Sequence, residues 1–130
     1  MSTYTDFYVL PVKKAGLETY RQFAEATAKV WCKHGALEAI EFVADDAKSG
    51  VHTSFPQAVA LESDEAVVVA RITFASRADR DRINAAVMSD PVFAGMSPDL
   101  PVDGKRMFWG GFTTLVEAKT NPGQNKGNKL

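Results

Sequence analysis

A single cysteine, Cys32, stands among 130 residues. It can close no internal disulfide and build no thiolate metal site by itself, which fits a reducing compartment. Histidine is almost as scarce: His34 and His52 are the two. An ordinary zinc site takes three or four protein ligands, and no second His or carboxylate stands at ligand spacing from His34. The expectation is therefore no metal and no other cofactor. No stretch approaches the roughly 18 apolar residues of a membrane span. The opening residues Met1-Ser2-Thr3-Tyr4-Thr5-Asp6 lack a basic region followed by an apolar run, so no secretory signal and a cytoplasmic location are expected. An excess of positive charge is missing too. With 15 basic against 16 acidic residues the net charge is −1, which argues against a nucleic-acid binder held through phosphates and ranks RNA binding last. The G-x-G-x-x-G, Walker, G-x-S-x-G and H-E-x-x-H motifs are all absent.

What is present is ordinary globular composition, with 45% hydrophobic and 24% charged residues. A chain of this length forms one domain, here residues 1–118, that buries about two thirds of its unfolded surface. Residues 119–130 are polar and rich in Gly and Asn. They read as a tail, disordered until something orders it.

Tyr4 to Val12 reads as a first strand, apolar on both faces: Phe7 and Val9 on one, Tyr8 and Leu10 on the other. Leu17 to His34 is the first helix. Tyr20, Phe23, Ala24, Thr27, Val30, Trp31 and His34 fall on one stripe, and Gly35 follows as a left-handed cap. Leu37 to Ala44 is a second strand. The connection from Asp45 to Asp64 is long for a compact domain, so it is expected to be functional or to hold an extra edge strand. Glu65 to Ala75 is the strongest strand, with Val68, Ala70, Ile72 and Phe74 facing one way. Ser76 caps a second helix with Asp79 three residues on. The alternation of Arg77, Arg80 and Arg82 with Asp79 and Asp81 predicts a solvated face, and Asp90-Pro91 ends the helix. A compact loop from Phe93 to Pro101 precedes the last strand, within Gly104 to Glu117, which carries Phe108, Trp109 and Phe112 around Gly110-Gly111. A Gly-Gly step inside a strand marks close approach, here of a partner chain or of the long connection.

The order β-α-β, long connection, β-α-β predicts an α+β, ferredoxin-like fold with an antiparallel sheet and both helices on one face. The other face is left bare, and Val67, Val69 and Trp109 are assigned to it. An apolar sheet face of that size predicts a two-fold homodimer with facing sheets.

Several stretches coincide with one family. They are Trp31-Cys32-Lys33-His34-Gly35-Ala36-Leu37-Glu38, Thr53-Ser54-Phe55-Pro56, Ser76-Arg77-Ala78-Asp79-Arg80-Asp81, Asn84 with Val87-Met88-Ser89-Asp90-Pro91, and Asp103-Gly104-Lys105-Arg106-Met107-Phe108-Trp109-Gly110-Gly111-Phe112. Together they resemble a family of short bacterial proteins of unknown function in the dimeric α/β-barrel superfamily, over about Tyr4 to Glu117. The resemblance implies a fold and a homodimer; it carries no settled activity. The wider superfamily includes cofactor-free monooxygenases, haem-degrading enzymes and lactone isomerases, an analogy of fold alone.

Each candidate site residue has two readings. His34 is either a proton donor or acceptor (or a metal or haem ligand) between helix and sheet, or a histidine completing a helix C-terminus. Glu41 and Arg71 are assigned to one strand face pointing toward the dimer interior. They form either an ion pair fixing register or, through Arg71, an anchor for an acidic ligand. Trp109, Phe108 and Phe112 are pocket residues or core and interface anchors. Phe55-Pro56 is a lid or an apolar cover on the sheet. Cys32 has no adjacent base to activate it. The preferred function is a cytoplasmic homodimer that binds a small organic molecule or serves as an accessory protein, with Trp31, His34, Arg71 and Trp109 as the ligand-binding set. The alternative is a cofactor-independent oxygenase or isomerase that uses His34 on a small aromatic or acidic substrate.

Overall fold

The computed structural model describes residues 2–95 and 99–120. Most of the expected tail, 121–130, lies outside the described residues, as does the centre of the loop before the last strand.

Strand β1 (Tyr4–Lys13) runs through a short 3₁₀ turn into helix α1 (Leu17–Lys33). Strand β2 (Glu38–Val43) follows, then a one-turn helix α2 (Phe55–Ala58) and strand β3 (Glu65–Phe74). Helix α3 (Arg77–Met88), a one-turn helix α4 (Pro91–Ala94) and strand β4 (Phe108–Thr113) complete the order. The four strands form one antiparallel sheet in the order β2-β3-β1-β4. This is the ferredoxin-like arrangement that the element order predicts.

Register assigns the faces, because residues directly opposite each other share a side. Tyr8 lies opposite Ala70, and Leu10 opposite Val68. These face the helices, where Leu10, Val12, Tyr20, Ala24 and Val68 form one buried cluster and Val30, Ile72, Phe74, Ile83 and Val87 belong to another. Helix α1 buries Tyr20, Ala24, Thr27 and Val30 at spacings of three and four, as an amphipathic helix must. It stops because Gly35 has φ +117°, a left-handed conformation that costs glycine nothing. The Gly35 and Ala36 amides then bond back to the carbonyls of Cys32 and Trp31 at 3.1 and 3.0 Å.

The long connection contains no extra strand. Ser54 caps α2, its Oγ accepting from the Gln57 amide at 3.2 Å. Beyond the turn, Val59 (1% exposed) packs on Val9 and Val67. This segment therefore covers one end of the sheet's open face. The described residues leave the rest uncovered, with Phe7, Phe42, Phe108 and Phe112 all exposed.

Three expectations fail for one reason, the phase of the pleat. Glu41 lies opposite Ala70 while Arg71 lies opposite Ile40, so the two charges stand on opposite faces and form no pair. Trp109 lies opposite Tyr8 and stacks on its ring, with centroids 5.6 Å apart, on the helix side. Gly110 and Gly111 also separate: a Cβ on Gly110 meets only the Phe112 ring, at 3.6 Å or beyond, whereas one on Gly111 would lie 2.6 and 2.8 Å from carbons of the Tyr4 ring. The close approach comes from a side chain of the chain's own first strand. That accounts for Gly111 from within the chain, while Gly110 faces the open side with space beside it.

Arg80 departs from the solvated-face expectation as well. Its side chain is tucked in, and Nη1 donates to the fully buried Asp6 at 2.7 Å. Asn84 Nδ2 donates to the other Asp6 oxygen at 3.3 Å. Arg80 also lies over the Tyr4 and Trp109 rings, 5.0 and 5.8 Å from their centroids. Helix α3 is thereby fastened to β1 and β4 through a charge that burial alone would forbid.

Candidate functional site

Between α1 and the helix side of the sheet is a cavity of about 470 Å³, the size of an ordinary small-molecule pocket. Its floor is Tyr8 and Leu10 of β1, Ala70 and Ile72 of β3, and Glu41 of β2. Tyr20, Phe23, Thr27 and Trp31 of α1 form one wall. Met88, Phe93 and the segment carrying Leu100, Val102, Gly104 and Met107 form the other. The helical period thus places the Tyr20–Thr27–Trp31 side of α1 over alternate residues of three strands.

The lining is overwhelmingly apolar, and one carboxylate interrupts it. The Tyr20 phenol donates a short hydrogen bond to Glu41 Oε1. Glu41 sits on an edge strand and keeps accessible surface, yet the protein packed around it pushes its carboxyl above the usual range, with the Tyr20 hydrogen bond pulling it back. Burial raises the Tyr20 phenol, and the charge of Glu41 raises it further. The Tyr8 phenol is pushed up to about 12, by burial first and by Asp6 second. Both phenols are consequently neutral donors at physiological pH.

Trp31 is held in place from behind. Its Nε1 donates to Asn84 Oδ1 at 2.9 Å, and Asn84 is itself bonded to Asp6. The ring meets Phe93 edge-on at 5.8 Å. Sequence reading missed this relay because Trp31, Asn84 and Asp6 belong to three elements.

It also missed the clasp that secures the second wall. Arg106 grips the buried Glu65 with two hydrogen bonds of 2.7 and 2.6 Å, and donates to Asp103 Oδ2 at 2.8 Å and to the Val59 and Ala60 carbonyls. The guanidinium is the main reason the Glu65 carboxyl is held down to about 2. A bridge between Val12 and Val102 fixes the middle of the same segment. Asp103 and Arg106, an acid and a base three residues apart, were the available signal; Glu65 was not traceable.

The expected ligand-binding set is not brought together. Trp31 lines the cavity. His34 does not: its Nε2 lies 2.7 Å from Asp90 Oδ2, an oxygen that also accepts from Lys33 at 2.9 Å. Asp90 caps α4 through the Val92 amide, and these three bonds, that of His34 foremost, hold its carboxyl down to about 2. His34 thus bolts the end of α1 to the start of α4. Arg71 is on the open face, its Nε 3.0 Å from Glu38 Oε1 but not aligned for a hydrogen bond, with the guanidinium 5.8 Å from the Phe42 ring centroid. It belongs to a separate hollow with Phe7, Glu38, Thr73 and Phe112. Trp109 is at the β4 edge and outside the cavity. Among the described residues no group of three or more His, Cys, Asp and Glu is placed to hold a metal ion, and no helix is long and apolar enough to cross a membrane.

The family model described as a protein of unknown function, DUF1428, matches residues 3–104. The chain belongs to the DUF1428 family. Two relatives described as uncharacterized protein YbaA, from Escherichia coli strain K12 and from Shigella flexneri, are each 36% identical to it over 114 residues, covering 88% of this chain and 97% of theirs. Among solved structures, a dimeric ferredoxin-like protein from an uncultured marine organism superposes with a TM-score of 0.54 at 17% identity, over 92% of this chain and all of that one. That likeness establishes the ferredoxin-like fold of this DUF1428 chain. Cavity, relay and Arg106 clasp are geometry of the chain itself.

Proposed function

We propose that this protein is a cytoplasmic homodimer that binds a small organic molecule in the cavity between α1 and the sheet, without a metal cofactor. One observation carries the reading: a cavity of about 470 Å³, lined mostly by aromatic and aliphatic side chains, in which Glu41, paired with the Tyr20 phenol, is the one carboxylate among the described lining residues. Pockets of that composition bind small molecules through apolar burial and take their orientation from a few polar groups. The homodimer is supported by the open sheet face, where Phe7, Phe42, Phe108 and Phe112 are exposed around Arg71 and Glu38. A second copy of the same face is the simplest cover for it. The marine protein described as a dimeric ferredoxin-like protein agrees in fold. The lone Cys32 fits the cytoplasm.

The alternative of a cofactor-independent oxygenase or isomerase, as read from the sequence, needs His34 in the cavity as its acid–base group. His34 is turned to Asp90 instead, and Arg71 lies across the sheet, so an acidic substrate held by Arg71 beside His34 has no geometric support.

The test has two arms. Sedimentation of the wild type at micromolar concentration should show a dimer, and Phe112→Asp, which places charge on the open face, should shift it to monomer. Titration with the neutral dye N-phenyl-1-naphthylamine should give saturable fluorescence enhancement, lost when Ala70→Trp fills the cavity floor. A monomeric wild type would overturn the assembly. Equal dye binding by Ala70→Trp would overturn the site.

A further inference from the structure

Taking that cavity as the binding site, we propose that its ligand is a lipophilic ammonium ion, an aromatic or alkyl amine in its protonated form, with Glu41 as counter-ion. The inference rests on the reading above and adds the charge and class of the ligand.

The first observation is that, among the described residues, Glu41 has no cationic partner. Its hydrogen bond comes from Tyr20, a neutral phenol. No Lys, Arg or His stands among the described residues that line the cavity. Basic side chains of the surrounding elements have carboxylates of their own: Arg80 has Asp6 and Asp81, Lys33 has Asp90, and Arg71 has Glu38 across the sheet. A carboxylate at the margin of an apolar cavity gains most from a ligand that supplies the missing positive charge, because covering it with a neutral body would only remove water.

The second observation is the kind of apolar surface beside it. Tyr8, Tyr20, Phe23, Trp31 and Phe93 all contribute to the lining. Aromatic faces attract ammonium ions, most strongly where water is excluded. Aliphatic side chains would have served equally for a neutral hydrocarbon. The Trp31 ring is moreover fixed by Asn84 and Phe93, so it need not be ordered when the ligand arrives. A carboxylate ligand would meet Glu41 as a like charge with no cation to offset it. An alcohol would gain a hydrogen bond and nothing from the rings.

Three probes of one shape separate these cases: 2-naphthylmethylamine, protonated at neutral pH, 2-naphthylmethanol and 2-naphthoate. Each competes with N-phenyl-1-naphthylamine on the full-length protein. The amine is expected to displace the dye at about tenfold lower concentration than the alcohol, with naphthoate weakest. Glu41→Gln should remove the amine's advantage over the alcohol, so that the two displace the dye at similar concentrations. Tyr20→Phe, which keeps the carboxylate, should preserve the order amine, alcohol, naphthoate and confirms it should Glu41→Gln fail to fold. If the dye itself does not bind, the cavity reading fails and this inference falls with it. If the dye binds but amine and alcohol compete equally, naphthoate competes best, or Glu41→Gln retains the preference, the ammonium assignment alone is overturned.

Discussion

Replacing Arg106 by Met removes a side chain that joins the cavity wall to β3 and the long connection. The wild-type guanidinium makes two hydrogen bonds to Glu65, one to Asp103 and two to backbone carbonyls. Glu65 is 3% exposed, and after the substitution its carboxylate keeps the Glu62 amide and the more distant Lys13 ammonium at 3.7 Å. Leaving a buried carboxylate short of its cation costs about 3–5 kcal/mol in a dry site, and less where Lys13 and solvent screen it. A loss of about 2.5 kcal/mol is therefore expected. With an unfolding entropy of about 2.1 cal/mol/K per residue, that lowers Tm by roughly 9 °C. The sign of the pH dependence follows from Glu65, whose carboxyl falls from 4.5 to about 2 on folding. A depressed carboxyl contributes its full stability above its unfolded value and loses it as the pH drops toward the folded one. The gap between wild type and Arg106→Met should thus be widest above pH 4.5 and shrink toward pH 2. Calorimetric melts across that range provide the assay, with Glu65→Met/Arg106→Met as the partner variant. The double variant should regain much of the loss, because it leaves no unpaired charge. A Tm within 2 °C of wild type at pH 7, or a gap that does not change with pH, would refute the clasp.

Two further outcomes follow from the geometry. Gly111→Ala should cost about 2 kcal/mol by thermal or urea unfolding, since its methyl enters the Tyr4 ring; Gly110→Ala, with only the Phe112 ring at 3.6 Å, should stay within about 0.5 kcal/mol. His34→Gln should lower stability, because Asp90 loses its shortest partner, yet leave dye affinity in the cavity unaltered; a clear drop in affinity in the folded variant would return His34 to the site.

Much of the fold was legible because its signals are local. Alternation in Val67–Phe74, the three- and four-residue spacing through Tyr20–Trp31, and the Ser76 cap each depend on neighbours within a few positions. The fold and the bare sheet face followed from that order. The site was legible only in part. Trp31 was placed in the cavity by its stripe; His34 shares that stripe but stands at the helix end against Asp90, and Arg71 and Trp109 were added by chemical type, which says nothing of where a side chain points.

By itself the sequence determined the elements, their order and so the ferredoxin-like sheet, since periodicity and capping act over a turn or a strand pair. Only the tertiary structure decided the phase of each strand against its neighbour. One residue of register sends Glu41 to the cavity and Arg71 to the open face, puts Trp109 on Tyr8, and sets Gly111 under Tyr4 while Gly110 stays clear. It also decided the pairings Asp6–Arg80, His34–Asp90 and Glu65–Arg106, which span 74, 56 and 41 positions. Contacts so distant along the chain leave no local pattern, because closing the intervening loop costs only a slowly growing entropy and imposes no spacing that a sequence must display.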